Sequence, residues 1–153
     1  ADALAPRKGA PEGVVRVSEA DPQGFLQHIA AGPGHALEAD EPETYGGTDK
    51  GPTPYQLVAA GLGACTAMTL QMYARRKKWD LREVVVHLEH YKDYAEDFQK
   101  TEEEGSKIDH FDRILELEGD LDDDQRQRLI EIANKCPVHR TLHSDIQVNT
   151  KLK

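Results

Sequence analysis

Pro54-Tyr-Gln-Leu-Val-Ala-Ala-Gly-Leu-Gly-Ala-Cys65-Thr-Ala-Met-Thr-Leu-Gln-Met-Tyr-Ala-Arg-Arg-Lys-Lys78 is the stretch on which the fold turns. From Leu57 to Leu70 it is apolar or small, interrupted only by Gly61, Gly63, Thr66 and Thr69. Its length and its Ala, Leu and Met content predict a helix, buried at the centre of the molecule. The apolar run stops short of the roughly 20 residues that a bilayer crossing needs, and Gln71 and then Arg75, Arg76, Lys77 and Lys78 close it. A membrane span is therefore not expected. Pro52 and Pro54 suit the first turn, and the cationic cluster suits the negative end of the helix dipole. Gly61 and Gly63 each cost about 1 kcal/mol relative to alanine inside a helix, which predicts close packing at these positions.

Upstream, Val14–Val17, Phe25–Ile29 and His35–Ala39 are short segments separated by Asp21-Pro-Gln-Gly24 and Gly32-Pro-Gly34. Such turn chemistry in series predicts an antiparallel meander. Glu41-Pro42 through Gly46-Gly47 to Gly51-Pro52 can only be a loop, of the kind that often lines sites. Downstream, Val84, Val86 and Leu88 alternate with Val85, His87 and Glu89, while Phe111–Glu118 alternates more weakly; the two predict a long hairpin. Its connection, Lys92–Lys107, reads as a solvated excursion with some apolar surface from Tyr91, Tyr94 and Phe98. Leu121–Lys135 is an amphipathic helix with Asp122 and Gln125 in capping-box register. Pro137 breaks it and opens a second short helix, Val138–His143, with Cys136 at its N-cap. Ile146, Val148, Thr150 and Leu152 alternate as a last strand. The order β-β-β-α-β-β-α-α-β lacks regular strand–helix alternation, so the fold class is α+β.

With 153 residues, one domain is expected over 14–153, preceded by a flexible tail over 1–13 that has no apolar core of a signal peptide or anchor. The formal charge of −9 argues against a nucleic-acid partner, whose phosphates call for a basic face. Two cysteines are too few for a disulfide scaffold, and a cytoplasmic location follows as the expectation.

Cys65, taken alone, has the character of a buried cysteine packing as a small hydrophobe. Cys136 differs. An N-cap thiol meets unsatisfied amides that lower its pKa from about 8.5, and His139 and Arg140 in the next turn offer donors and positive charge. Both thiols lie on inward helix faces, which makes a dithiol redox pair one reading. A rival uses Cys136, His139 and His143, on one side of a helix, with Cys65 as a Cys2His2 zinc set. His87 and His90 face opposite sides of a strand and form no metal pair. No phosphate loop, Gly-x-Ser-x-Gly elbow or His-Glu-x-x-His motif occurs.

Gly51-Pro-Thr-Pro-Tyr-Gln-Leu-Val-Ala-Ala-Gly-Leu-Gly-Ala-Cys65-Thr-Ala-Met-Thr-Leu, followed by Cys136-Pro-Val-His-Arg-Thr-Leu, resembles the OsmC/Ohr family, the osmotically induced protein C and organic hydroperoxide resistance proteins. Within it, Asp40-Glu-Pro42 and Gly46-Gly47 resemble the OsmC-like branch. The resemblance implies an intertwined homodimer with its central helices buried, and a cytoplasmic thiol peroxidase that reduces organic hydroperoxides at the expense of an external dithiol, with no metal or organic cofactor. It assigns peroxide attack to Cys65 and resolution to Cys136. Where family peroxidases carry a glutamate ten residues before the first cysteine, this chain has Tyr55; where they carry an arginine in the first hairpin turn, it has Asp21-Pro-Gln-Gly24. Arg140 is the candidate replacement for the guanidinium, with Glu41 or Asp40 for the carboxylate. Val58, Leu62, Met68 and Met72, along the Cys65 face, predict apolar surroundings for that thiol and a preference for bulky organic hydroperoxides over hydrogen peroxide. An OsmC-like protein that binds zinc or a thiol-reactive small molecule without turnover is the alternative.

Overall fold

The computed structural model describes residues 4, 6–94 and 107–153. The elements are β1 (Val15–Glu19), β2 (Gln27–Ala31), β3 (His35–Ala39), a 3-10 turn at Glu43–Tyr45, α1 (Pro54–Lys77), β4 (Asp80–Tyr94), β5 (Lys107–Asp120), α2 (Asp123–Ala133) and α3 (Pro137–Leu142). They fall into two compact units, Ala1–Leu57 and Val58–Lys153.

In the first unit the expected meander forms, β1-β2-β3, with Val17 opposite Ile29 and Ile29 opposite Leu37. The chain before it is tied down where the Ala10 amide donates to Gly32 O at 3.1 Å, and Ala10 is buried. The loop after β3 is organised by Asp40, which is buried. Its Oδ1 accepts the Glu41 amide, and its Oδ2 accepts the Thr48 hydroxyl and the Thr48 and Lys50 amides. Gly47 belongs there because a Cβ would overlap Glu41 O.

Helix α1 starts with a capping box. The Thr53 amide donates to Gln56 Oε1 at 2.9 Å and the Gln56 amide to Thr53 Oγ1 at 3.2 Å, with Pro54 at the first helical position. It ends in a Schellman motif: the Lys78 amide donates to Arg75 O, the Trp79 amide to Ala74 O, and Lys78 takes a left-handed φ of 59°. With 24 residues the helix is long and apolar enough to cross a membrane by length and composition alone, a test that core helices of soluble proteins also pass. Here its buried residues form one narrow stripe, Leu62, Thr66, Leu70 and Ala74 at intervals of four, with Gly63 beside it.

That stripe packs in the second unit on the β4–β5 hairpin and α2. The core gathers Leu70, Ala74, Leu81, Leu129, Ile132 and Ala133, with Tyr73, Trp79, Val84, Leu115 and Leu117 against it. The Gly63 expectation holds, since a Cβ there would lie 2.8 Å from Leu88 Cδ1, whereas Gly61 faces open space. The hairpin pairs from Asp80↔Asp120 to Tyr94↔Lys107 with one irregularity between Leu81 and Glu83. Its strands therefore reach into the ends of the expected excursion, and residues 95–106 of that segment, Phe98 included, lie outside the described residues. Helix α2 carries the expected Asp122/Gln125 capping box, and α3 has Cys136 as its N-cap with Pro137 following.

Val58, Met68 and Met72 on α1 are 41%, 71% and 55% exposed; one hairpin and one helix cover a single face of a helix and no more, and the burial implied by the resemblance involves a second copy. One expectation is corrected: the last strand is missing, with residues 145–153 carrying no regular element. A strand needs a neighbour to complete its hydrogen-bond ladder, and residues 145–153 pair with no described strand.

Candidate functional site

The helix break at Pro137 assembles the site. Because Cys136 caps α3, its sulfur turns back to accept the His139 amide at 3.3 Å. Cys65, from the middle of α1, accepts the neighbouring Val138 amide at 3.5 Å. Two thiols far apart in sequence thus lie at the first turn of the same short helix, each still a free cysteine. Cys136 is fully buried, whereas Cys65 is only partly so.

Burial pushes the Cys136 thiol up. The His139 amide, the Thr66 hydroxyl, the Cys65 thiol and the Arg113 charge pull it down, and the balance lies below the ordinary thiol value. The positive charge comes from Arg113 on β5, whose Nη1 lies 4.0 Å from Cys136 Sγ and donates to Thr66 Oγ1 at 2.9 Å. Its Nη2 donates to Asn134 Oδ1 at 3.0 Å and to His139 Nδ1 at 3.1 Å.

Of the residues singled out from the sequence, the structure brings Cys65, Cys136 and His139 together. His139 does not supply positive charge, because burial, Arg113 and His143 depress its pKa below the usual histidine value. Arg140 is exposed; its amide donates to Cys136 O, and the guanidinium beside the sulfur is that of Arg113. Asp40 is committed to its own loop. Glu41 follows it in that loop, and Tyr55 lies half-exposed in the first turn of α1.

Arg113 had a signal in the sequence. Phe111, Leu115 and Leu117 share its face of β5 at every second position, so the weak alternation of Phe111–Glu118 is an arginine standing in an apolar row. The zinc set fits poorly. Among the described residues no group of three His, Cys, Asp or Glu is placed to hold a metal ion, and a guanidinium already occupies His139 Nδ1 and adjoins Cys136.

The chain thus pairs a mixed α+β fold with a buried Cys136 and a partly buried Cys65 that meet at a helix break. The model of the OsmC-like protein family matches residues 47–151, and the chain belongs to that family. The fold is similar to that of an OsmC-like protein from Mycoplasma pneumoniae (15% identity, 85% of this chain and 86% of that one, TM-score 0.65). It is similar also to the organic hydroperoxide resistance proteins of Elizabethkingia anophelis (20% identity, 87% and 89%, TM-score 0.63) and Legionella pneumophila (19% identity, 84% and 87%, TM-score 0.59). No curated protein matches the chain in sequence.

Proposed function

We propose that this protein is a thiol-dependent reductase of organic hydroperoxides that cycles through a Cys65–Cys136 disulfide. The observation that carries the reading is the meeting of both sulfurs at the first turn of α3, accepting the adjacent amides of Val138 and His139. The Cys65 thiolate attacks the outer peroxide oxygen, the O–O bond breaks, and the alkoxide leaves as the alcohol after taking a proton. Cys65 is now a sulfenic acid. The Cys136 thiolate attacks its sulfur, forming the disulfide and releasing hydroxide, which becomes water. An external dithiol returns both cysteines to thiols and is itself oxidised to a disulfide. The sum is hydroperoxide plus dithiol to alcohol, water and disulfide.

The roles follow the difference in exposure. A peroxide can approach the partly exposed Cys65, whereas Cys136 is fully buried yet held below the ordinary thiol pKa, which suits the resolving step. The names of the Elizabethkingia and Legionella neighbours support the substrate class. The exposed apolar side of α1, with Val58, Met68, Met72 and the open Gly61, supports a homodimer in which a second copy covers that helix. We place the protein in the cytoplasm, where dithiol reductants are at hand.

One equivalent of organic hydroperoxide should lower the intact mass of the reduced protein by two hydrogens. In the Cys136→Ser protein a sulfenic-acid trap should label Cys65 rapidly, and the Cys65→Ser protein should react only slowly. The reverse pattern would exchange the two roles. No reaction in either would favour an OsmC-like protein that binds a small molecule without turnover.

A further inference from the structure

The guanidinium of Arg113 touches every element that surrounds Cys136. It meets Thr66 on α1, Asn134 at the C-terminus of α2 and His139 on α3, and it reaches them from β5. Two proton positions follow from this. An arginine is always a donor and never an acceptor, so His139 Nδ1 must accept from Nη2, and a neutral ring then carries its proton on Nε2. Thr66 Oγ1 accepts from Nη1, and its single proton is shared between Leu62 O at 2.7 Å and the more distant Cys136 Sγ at 3.8 Å. The titratable and charged groups facing Cys136 are then Cys65 from α1, Arg113 from β5, and His139 from α3 with His143 stacked upon it. His139 being neutral, Arg113 is the cation among them.

We propose that Arg113 is the positioning residue of the dithiol site: its fork fixes the His139 tautomer and the α2–α3 junction, and its charge holds the Cys136 sulfur ready as a thiolate beside Cys65. The consequence for turnover rests on the peroxidase reading, but the placement itself does not. A nearby positive charge typically shifts an acidic group by about 1–3 pKa units. Because it stabilises the reduced form, it also makes the disulfide more oxidising, as a stabilised thiolate does in dithiol oxidants.

The experiment reads the Cys136 thiolate directly, by its ultraviolet absorbance against pH, in Cys65→Ser protein where it is the remaining cysteine. Arg113→Met should raise the midpoint by about one unit or more, and Arg113→Lys, which keeps the charge and loses the fork, should recover most of that shift. With both cysteines present, Arg113→Met should shift the dithiol–disulfide equilibrium about tenfold toward the disulfide, or ~30 mV in potential. Nitrogen-15 spectra of the unmutated protein should show His139 Nδ1 unprotonated and Nε2 protonated at neutral pH, a readout that stands even if the arginine variants do not fold. A protonated Nδ1, or a folded Arg113→Met protein with an unmoved midpoint, overturns the proposal. None of these readouts uses a peroxide. A shifted thiol in a protein without turnover would therefore sink the peroxidase reading alone, and turnover with an unmoved thiol would sink this one alone.

Discussion

Thr66 occupies the position next to the partly exposed thiol and is fully buried, with its hydroxyl donating to Leu62 O and accepting from Arg113 Nη1. Valine would keep the shape and remove the acceptor, leaving a charged donor without its partner. Thr66→Val should cost about 1–3 kcal/mol in denaturant unfolding of the reduced protein, and an unchanged midpoint would show that Arg113 does not depend on this contact. Asp40 is a second buried polar side chain, and its role is local. The Thr48 hydroxyl holds its carboxyl below the usual aspartate range; burial works against this, and the amides of Glu41, Lys50 and Thr48 reinforce it. A carboxyl whose folded pKa is depressed contributes stability that is fully present above its unfolded value of about 3.9 and is lost as the pH falls through the lower folded value. Asp40→Asn turns an NH2 group either toward the Glu41 amide or toward the amides of Thr48 and Lys50. Hydrogen exchange at Thr48 and Lys50 should speed up at neutral pH and lose its acid dependence; exchange like that of the parent would contradict the clasp.

Among the elements, α1 is notable for both of its ends. Its start is specified locally by Thr53, Pro54 and Gln56, a capping box that the structure shows between near neighbours in the chain. Its end places Lys78 in the left-handed region, where a side chain costs about 1–2 kcal/mol and glycine costs little. Lys78→Gly should raise stability by about 1 kcal/mol, a shift in Tm of roughly 2–4 °C at this chain length, unless the lysine makes a compensating contact. A drop in Tm would reveal that contact. The opposite case is Gly119 at the far end of the hairpin, with a φ of 151° and Asp80 O where a Cβ would stand. There the approach of two backbones, and not the turn, demands glycine.

For the whole molecule, the open question of physical chemistry is the uncovered side of α1. Met68 and Met72 at 71% and 55% exposure, on a helix whose opposite stripe is core, form a surface that water penalises at about 25 cal/mol per Å2. A second copy is the covering we propose, in keeping with the intertwined homodimer implied by the family resemblance. Sedimentation equilibrium should find a dimer that persists on dilution until the chain unfolds. A folded monomer at low concentration would remove the claim, and Met68→Glu should weaken the dimer while leaving the buried stripe of Leu62, Leu70 and Ala74 untouched.

What the sequence determined by itself is what neighbours along the chain decide. The meander turns, the long helix and its ends, the Asp122/Gln125 box and Cys136 as the cap after a helix break all rest on interactions spanning a few residues, so they could be read from spacing and residue type. The approach of Cys65 to Cys136 was legible only as two inward faces. The cation was misplaced to Arg140 because proximity in sequence on a helix is not proximity to the sulfur. Tertiary structure decided in favour of Arg113, since only the laying of β5 against α1 and the α2–α3 junction brings a strand residue to a helix cap. It likewise left Ile146–Leu152 without a strand and α1 half uncovered, because ladders and apolar faces need partners, and alternation along one chain does not say where a partner comes from.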